Sequence, residues 1–235
     1  MTKPDTYTIY ARFFPGLLSA TPLFILWFFL ARQTEWNDLL NFVIGMKFIG
    51  TISLSTVFLY FYAQFIRITS KSFERTYFTG SRGFPSTYFM LYSDGTYSAD
   101  YKNKFRDRVK KTLKLEPLNE VDESAQPQEA RKRLDECFNH IRLKIGRGKL
   151  VFKHNIWYGF VRNLIGGTIY SSIFCAANVI LGWTVFKNPV LLTLSAVLLV
   201  VYLTIFCFRK KILKQNAEAY GRQLISEFMA TSKAN

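Results

Sequence analysis

The sequence is poor in the residues that build metal sites and disulfide frameworks. Its 235 residues include 3 Cys and 2 His. The cysteines lack metal-ligand spacing and two of them lie inside long apolar runs, so we expect neither a metal site nor a disulfide. The glycines of residues 79–87 lack the spacing and the Lys-Ser/Thr ending of a phosphate-binding loop. The sequence therefore predicts a protein that is not an enzyme and needs no cofactor.

Charge is missing from four long stretches of the chain. These lie at residues 13–31, 48–66, 163–186 and 188–208, with lengths of 19, 19, 24 and 21 residues. Because a helix rises about 1.5 Å per residue, each stretch can cross the roughly 30 Å of bilayer hydrocarbon. The alternative is that the shorter two are buried core helices, but the chain lacks the amphipathic helices needed to cover four such segments in water. We predict four transmembrane helices.

Three features of these runs bear on how the helices pack. Pro15 and Pro22 each remove a backbone donor from the first run and predict a bent helix whose freed carbonyls are satisfied by neighbours or water. Lys47, just before the second run, either lifts its ammonium to the headgroups or joins a ring of cations at an outer pore mouth. Small residues at helical spacing in the third run favour close helix packing and an oligomer. They are Gly167, Ser171, Ser172 and Ala176.

Acidic residues are scarce, with 16 Asp and Glu against 31 Lys and Arg. Basic residues lie before the first run and after the second and fourth, which by the positive-inside rule places both termini and the middle segment in the cytoplasm. The predicted fold is an all-α membrane protein with a small, basic, mainly helical cytoplasmic domain between its second and third spans. The predicted parts are a transmembrane helix pair at 1–66, the cytoplasmic domain at 67–161, a second transmembrane pair at 162–208 and a cytoplasmic C-terminal helix or tail at 209–235.

Two helices are predicted within the middle segment. Ser98 can cap a helix with an apolar seam, and Pro127 can open a second one. The seam of the first holds Tyr101, Phe105, Val109 and Leu113, and the buried stripe of the second holds Ala130, Leu134, Cys137 or Phe138, Ile141 and Ile145. Residues 88–92 fit a strand or a helical turn equally well. The acidic residues 116–129 between the two helices predict a solvated loop.

Basic and aromatic residues alternate in the middle segment, which leaves two interpretations open. One is adhesion to anionic lipid, where each Lys or Arg contributes about 1 kcal/mol. The other is a nucleotide or single strand, because phosphates need cations and unpaired bases need flat apolar faces. The candidates for phosphate contacts are Arg82, Lys102, Arg106, Lys149, Lys153, His154, Asn155 and Arg162. The candidates for base stacking are Tyr88, Tyr92 and Tyr158.

Several motifs spread over most of the chain resemble one bacterial family. They are Ala11-Arg12 with Pro15, Gly83-Phe-Pro-Ser-Thr87, Tyr101 with Lys104, and the run N-x-x-Y-G-F-x-R-N-L at residues 155–164, which is the most specific. The chain is similar here to the membrane effectors of the Hailong antiphage defence system. The resemblance implies a homotetrameric ion channel in the bacterial inner membrane. It also implies that a partner nucleotidyltransferase holds the channel shut by making single-stranded DNA oligomers, and that loss of the oligomer depolarises the cell.

Two other functions stay open beside this antiviral channel. A non-channel membrane scaffold would use its basic domain to bind anionic lipid of the bilayer or a protein partner. A small transporter would need a polar site halfway across the membrane, where the predicted spans carry no charge. For a channel, we expect the first helix to line the pore because its prolines allow movement, with the second helix as the alternative.

Overall fold

A computed structural model describes residues 6–30, 48–79, 83–146 and 148–231, without the side chains of residues 48–55 and 149. Within these ranges the secondary structure is helical and contains no strand, which confirms the predicted all-α class. The helices are α1 (Thr6–Ser19), α2 (Thr21–Leu30), α3 (Phe48–Thr79), α4 (Pro85–Phe89), α5 (Ala99–Leu113), α6 (Glu120–Ala125), α7 (Pro127–Ile145), α8 (Lys149–Thr184), α9 (Pro189–Cys207) and α10 (Arg209–Ala230).

Helices α8 and α9 are each long and apolar enough to cross a membrane, and the bent pair of α1 and α2 adds a third candidate if it is counted as one span. The 19 residues of α9 extend about 29 Å at 1.5 Å per residue, close to the hydrocarbon thickness. These helices indicate a transmembrane protein. The second predicted span lies in α3, and both Lys47 and the side chains of residues 48–55 lie outside the described residues. A four-span topology therefore stays a prediction.

The bend between α1 and α2 lies at Ala20 and measures 45°. Pro22 causes it, because Pro22 has no N–H to bond the Leu18 carbonyl four residues earlier. Two hydroxyls donate to that carbonyl instead, Thr21 Oγ1 at 2.8 Å and Tyr202 Oη at 2.7 Å. The tyrosine comes from α9, so a neighbouring helix satisfies the freed carbonyl as predicted.

Pro15 releases a second carbonyl, that of Ala11, and α1 forms a π-helical turn at Ile9–Phe13 beside it. Asn163 Nδ2 of α8 donates to the Ala11 carbonyl at 2.5 Å. The bend also frees the Ser19 carbonyl, which accepts from Ser171 Oγ at 2.8 Å. Side chains of α8 thus bond the N-terminal helices where their own backbone bonding is broken.

Small residues of α8 pack against helices of the same chain. A Cβ added at Gly166 would lie 3.0 Å from Ser70 Cα in α3, and one at Gly167 would lie 2.8 Å from Ser19 Cβ in α1. These distances are too short for any larger side chain. The predicted close packing at Gly167 therefore occurs within one chain, and the predicted oligomer draws no support from it.

The chain divides into two compact units. The first comprises the chain up to Glu74 together with Gly159–Ile212, and the second comprises Arg75–Tyr158 together with the chain from Leu213 on. The predicted division set residues 209–235 apart, whereas most of α10 belongs to the second unit. The reason is an apolar stripe at helical spacing along α10. Its buried members are Leu213, Ala217, Tyr220, Leu224, Ile225 and Phe228.

The core of the second unit forms between α5, α7 and α10. Ser98 Oγ caps α5 by accepting from Tyr101 N at 3.3 Å. Phe105 of α5 stacks on Phe138 of α7 at 5.4 Å between ring centroids and meets Phe228 of α10 edge-on at 5.5 Å. Both predicted helices and the buried stripe of α7 are confirmed. Residues 85–89 form the short helix α4, so the ambiguous segment begins as a helical turn.

The prediction of a solvated loop over residues 116–129 is wrong. Helix α6 forms within it because Asn119 caps its first turn, accepting from Asp122 N at 2.8 Å, and because carboxylates are favourable near a helix N-terminus. Glu123 of this helix is buried. A buried carboxylate needs a partner, and that partner is one of the predicted ligand residues.

Candidate functional site

Arg106 and Glu123 form a buried ion pair in the second unit. Arg106 Nη2 lies 2.8 Å from Glu123 Oε2, and each side chain is only 5% exposed. The other carboxylate oxygen accepts from the backbone N–H groups of Tyr92 and Ser93, at 2.5 and 3.4 Å. Arg106 Nε donates to the Leu118 carbonyl at 2.9 Å. The pair therefore anchors two loops to α5 and α6.

Three residues predicted to contact a ligand belong to this buried cluster. Lys102 is 2% exposed and its ammonium donates to the Asp94 carbonyl. The Arg106 guanidinium lies 3.9 Å from the centroid of the Tyr92 ring. Burial lowers the pKa of Lys102 and of Arg106. In this conformation these groups hold the domain together, and a phosphate would have to displace Glu123 to reach Arg106.

A cavity of about 400 Å³ lies beside Tyr88 in the second unit. Aromatic and charged side chains share its wall. They are Tyr77, Phe78, Tyr88, Phe89, Asp94, Thr96, Lys214, Glu218 and Arg222. A second cavity of about 220 Å³ also has Tyr88 and Asp94 in its wall and adds Arg131. We call this pair of spaces the Tyr88 cavity.

The polar groups of the Tyr88 cavity are arranged around Glu218. Tyr88 Oη donates to Glu218 Oε1 at 2.9 Å, and Lys214 Nζ lies 3.8 Å from the same oxygen. Burial, followed by the bond to Glu218, raises the pKa of Tyr88, so the phenol stays protonated as a donor. The Arg222 guanidinium lies 4.8 Å from the centroid of the Phe89 ring. Cations, carboxylates and flat rings are therefore available within one cavity.

Tyr158, predicted to stack on a base, already stacks on protein. Its ring lies 5.9 Å from that of Tyr220 in a parallel arrangement and 5.7 Å from that of Phe84 in an edge-on one. Only 4% of the residue is exposed. Its ring is a core element of the second unit, and a base would have to displace a neighbour to reach it.

The other predicted contacts in the second unit are scattered. Lys153 is exposed on α8, while His154 and Asn155 are partly buried beside it. Arg82 and the side chain of Lys149 lie outside the described residues. The structure thus brings Lys102 and Arg106 together in a buried cluster with the half-buried Tyr92 against Arg106, and it places Tyr88 in a cavity. The roles predicted for the remaining residues stay predictions.

Arg162, the last predicted phosphate contact, belongs to the first unit. Arg162 Nη1 lies 2.9 Å from Glu74 Oε2, and the two side chains are 10% and 20% exposed. The ion pair joins α8 to α3.

Sequence reasoning missed the charged residues that complete the Tyr88 cavity. Lys214, Glu218 and Arg222 recur every four residues along α10, and Arg131 lies on α7. A spacing of four residues places side chains on one helix face. That spacing is visible in the sequence, next to the apolar stripe of the same helix.

No three His, Cys, Asp or Glu side chains in the described ranges lie close enough together to hold a metal ion. The one cysteine of the second unit, Cys137, is buried in α7. Burial raises the pKa of its thiol to about 11, so it stays protonated at neutral pH. A protonated, buried thiol is neither a nucleophile nor a ready metal ligand.

No protein-family model matches this chain, and no match to it is found among curated proteins or solved structures. The candidate membrane spans and the Tyr88 cavity are therefore interpreted from the chemistry of their own residues. The resemblance to the Hailong effectors stays an expectation from the motifs at residues 11–15, 83–87 and 155–164.

Proposed function

We propose that this protein is an oligomeric ion channel of antiphage defence, gated by a single-stranded DNA oligomer that binds its second unit. In this proposal it is a four-span tetramer of the bacterial inner membrane, with both termini and the middle segment in the cytoplasm. The observation that carries the proposal is the Tyr88 cavity, which combines aromatic rings with cations in a chain that has candidate membrane spans.

The composition of the Tyr88 cavity favours a nucleotide over a simple anion. Bases stack on aromatic faces whatever their sequence, and Lys214 and Arg222 supply charge for a phosphate. Asp94 and Glu218 would repel a bare phosphate, but a carboxylate accepts well from the exocyclic amino group of a base. A base within a strand uses all of these kinds of group, whereas inorganic phosphate uses only the cations.

Gating follows if the strand binds the two states of the channel unequally. A ligand shifts an equilibrium only as far as it prefers one state, and moving a population from 1:99 to 99:1 takes a preference of about 10⁴. A strand long enough to reach several subunits gains that preference from several weak sites. Loss of the strand made by the partner enzyme would then shift the channel from its closed state to its open state.

The double variant Lys214→Gln/Arg222→Gln should bind single strands more weakly and with less salt dependence. Each phosphate contact contributes about 0.7 to the log–log slope, so the slope should fall by about 1.4. Fluorescence anisotropy of a labelled oligonucleotide with the full chain in detergent measures it. Lys110→Gln/Lys144→Gln removes equal charge from exposed positions outside the cavity and should leave the slope unchanged.

Tyr88→Ala separates stacking from charge at the same site. Loss of one base–aromatic stack should weaken binding about tenfold or more at every salt concentration, with the slope preserved. Equal slopes in the two double variants, or no strand binding by the natural protein, would exclude the cavity as the ligand site.

The channel activity has its own test. Expression of the protein without its partner enzyme should be toxic and should collapse the membrane potential, as read by a voltage-sensitive dye. In reconstituted bilayers, single-stranded oligonucleotides should suppress the current and duplexes of equal length should not. Harmless expression of a fully inserted protein, with no current in bilayers, would favour the scaffold that binds anionic lipid or a protein partner.

A further inference from the structure

Four basic side chains of the first unit lie where uncharged runs begin or end. Arg12 directly precedes the first run, Arg67 directly follows the second with Lys71 one turn later, and Arg162 directly precedes the third. They come from three different helices, α1, α3 and α8. In the topology proposed above, all four are at the level of the cytoplasmic headgroups.

A hydrogen bond from a side chain of α8 to the backbone of α1 brings the arginines of these helices to the same level. Asn163 Nδ2 donates to the Ala11 carbonyl at 2.5 Å. Arg12 and Arg162 are the chain neighbours of these two residues. A Cβ added at Gly159, one turn before Asn163, would lie 2.9 Å from Ala11 Cβ, so the two helices touch here.

The basic residues of α3 face the region where Arg12 of α1 and Arg162 of α8 lie. Arg67, Lys71 and Glu74 are spaced by four and three residues, which puts them on one face of α3. Glu74 bonds Arg162 of α8 at 2.9 Å, so this face is directed at α8. Three helices thus present four cations and one carboxylate to a common space.

The cations of this space outnumber its anions. Glu74 pairs with Arg162, and Arg12, Arg67 and Lys71 form no ion pair within the described ranges. Arg12 Nε and Arg67 Nε are buried without an acceptor. Arg67 lowers the pKa of Lys71, and burial followed by Arg12 lowers the pKa of Arg67. Closely spaced cations and buried donors without acceptors make this place suitable for an anion.

We propose that Arg12, Arg67 and Lys71 bind the phosphate of an anionic phospholipid headgroup, with Arg162 held beside them by Glu74. Guanidinium groups match phosphate geometry, and basic pockets between membrane helices on the cytoplasmic side suit such headgroups. Because these basic residues lie at the ends of the apolar runs, where the headgroups are, the phosphate they bind belongs to a membrane lipid. The inference rests on the proposed membrane topology and is independent of DNA gating.

Titration with defined lipids tests the site on the full chain in detergent. Native mass spectrometry should show phosphatidylglycerol bound in preference to phosphatidylcholine of the same acyl chains. Arg67→Gln/Lys71→Gln should weaken phosphatidylglycerol binding about thirtyfold, which corresponds to about 2 kcal/mol from two basic residues. The charge-preserving variant Arg67→Lys/Lys71→Arg should retain most of the binding.

A matched control and a second ligand separate this site from general charge attraction. Lys210→Gln/Lys211→Gln removes two exposed cations after the fourth run and should leave lipid binding within about twofold of the natural protein. An equal loss in that control, equal binding of both lipids, or full competition by millimolar inorganic phosphate would overturn the lipid site. Strand binding at the Tyr88 cavity should persist in Arg67→Gln/Lys71→Gln, so the two proposals fail separately.

Discussion

Glu123→Ala should lower the free energy of unfolding of the second unit by about 3–5 kcal/mol, because it leaves the Arg106 guanidinium buried without its counter-ion. The substitution also removes the acceptor of two backbone N–H groups, those of Tyr92 and Ser93. At about 4–8 °C per kcal/mol for a unit of roughly 100 residues, the melting temperature should fall by more than about 10 °C. Thermal unfolding of the full chain, with hydrogen exchange of α5 and α7 as the local measurement, checks it.

The chain offers a matched ion pair as the control. Glu129 and Arg133 lie 3.0 Å apart on α7, but their side chains are about 40% exposed. Because exposed pairs contribute little, Glu129→Ala should change stability by about 0.5 kcal/mol or less. The double variant Arg106→Met/Glu123→Leu should recover part of the stability, since apolar side chains can replace a buried pair but do not replace the acceptor of the Tyr92 and Ser93 N–H groups. Similar losses for Glu123→Ala and Glu129→Ala would contradict the assignment.

The buried pair also bears on the ligand. Glu123 bonds the backbone at Tyr92 and Ser93, and Lys102 bonds the carbonyl of Asp94 in the same turn. Asp94 lines the Tyr88 cavity. A variant that loosens this turn should therefore weaken strand binding as well as stability, although none of the residues of the pair lines the cavity.

Local patterns in the sequence predicted the helices well. The cap at Ser98, the proline at residue 127 and the uncharged runs each act over a few residues, so α5, α7, α8 and α9 could be predicted. The partner of Arg106 could not be predicted, because the sequence does not show whether a basic side chain is solvated by water or paired with a buried carboxylate such as Glu123. Only tertiary packing decides between the two.

The candidate site was only partly visible for the same reason. Tyr88 was found by its aromatic and basic surroundings, but Glu218, its hydrogen-bond partner, is 130 residues away in sequence. No short-range pattern in the sequence indicates that α4 contacts α10. Gly167 and Ser171 of α8 were likewise visible as part of a stripe of small residues, while their partner Ser19 in the same chain was not.

Gly166→Leu should prevent α8 from packing on α3 and abolish the properly folded protein. Even the Cβ of alanine would lie 2.9 Å from Ser70 Cβ and 3.0 Å from Ser70 Cα, and the latter atom cannot rotate away. Overpacking of this kind costs about 1–3 kcal/mol for small additions, so Gly166→Ala should be destabilised and Gly166→Leu more so. Thermal stability and the yield of monodisperse protein in detergent measure both. Gly95→Ala makes the same change where no atom lies within 4 Å and should be neutral.

A reciprocal substitution at Ser70 tests whether its contact with residue 166 causes the loss of stability. Ser70→Gly removes the Cβ that the methyl group introduced by Gly166→Ala would meet, and also the hydroxyl that bonds the Ile66 carbonyl, so alone it should destabilise modestly. Together, Gly166→Ala and Ser70→Gly exchange the small residue between the helices and should be more stable than the sum of the single losses allows. Strict additivity would mean that α8 and α3 do not meet at this point. Because Glu74 and Arg162 lie one turn away on the same two helices, it would also remove the geometry on which the lipid site depends.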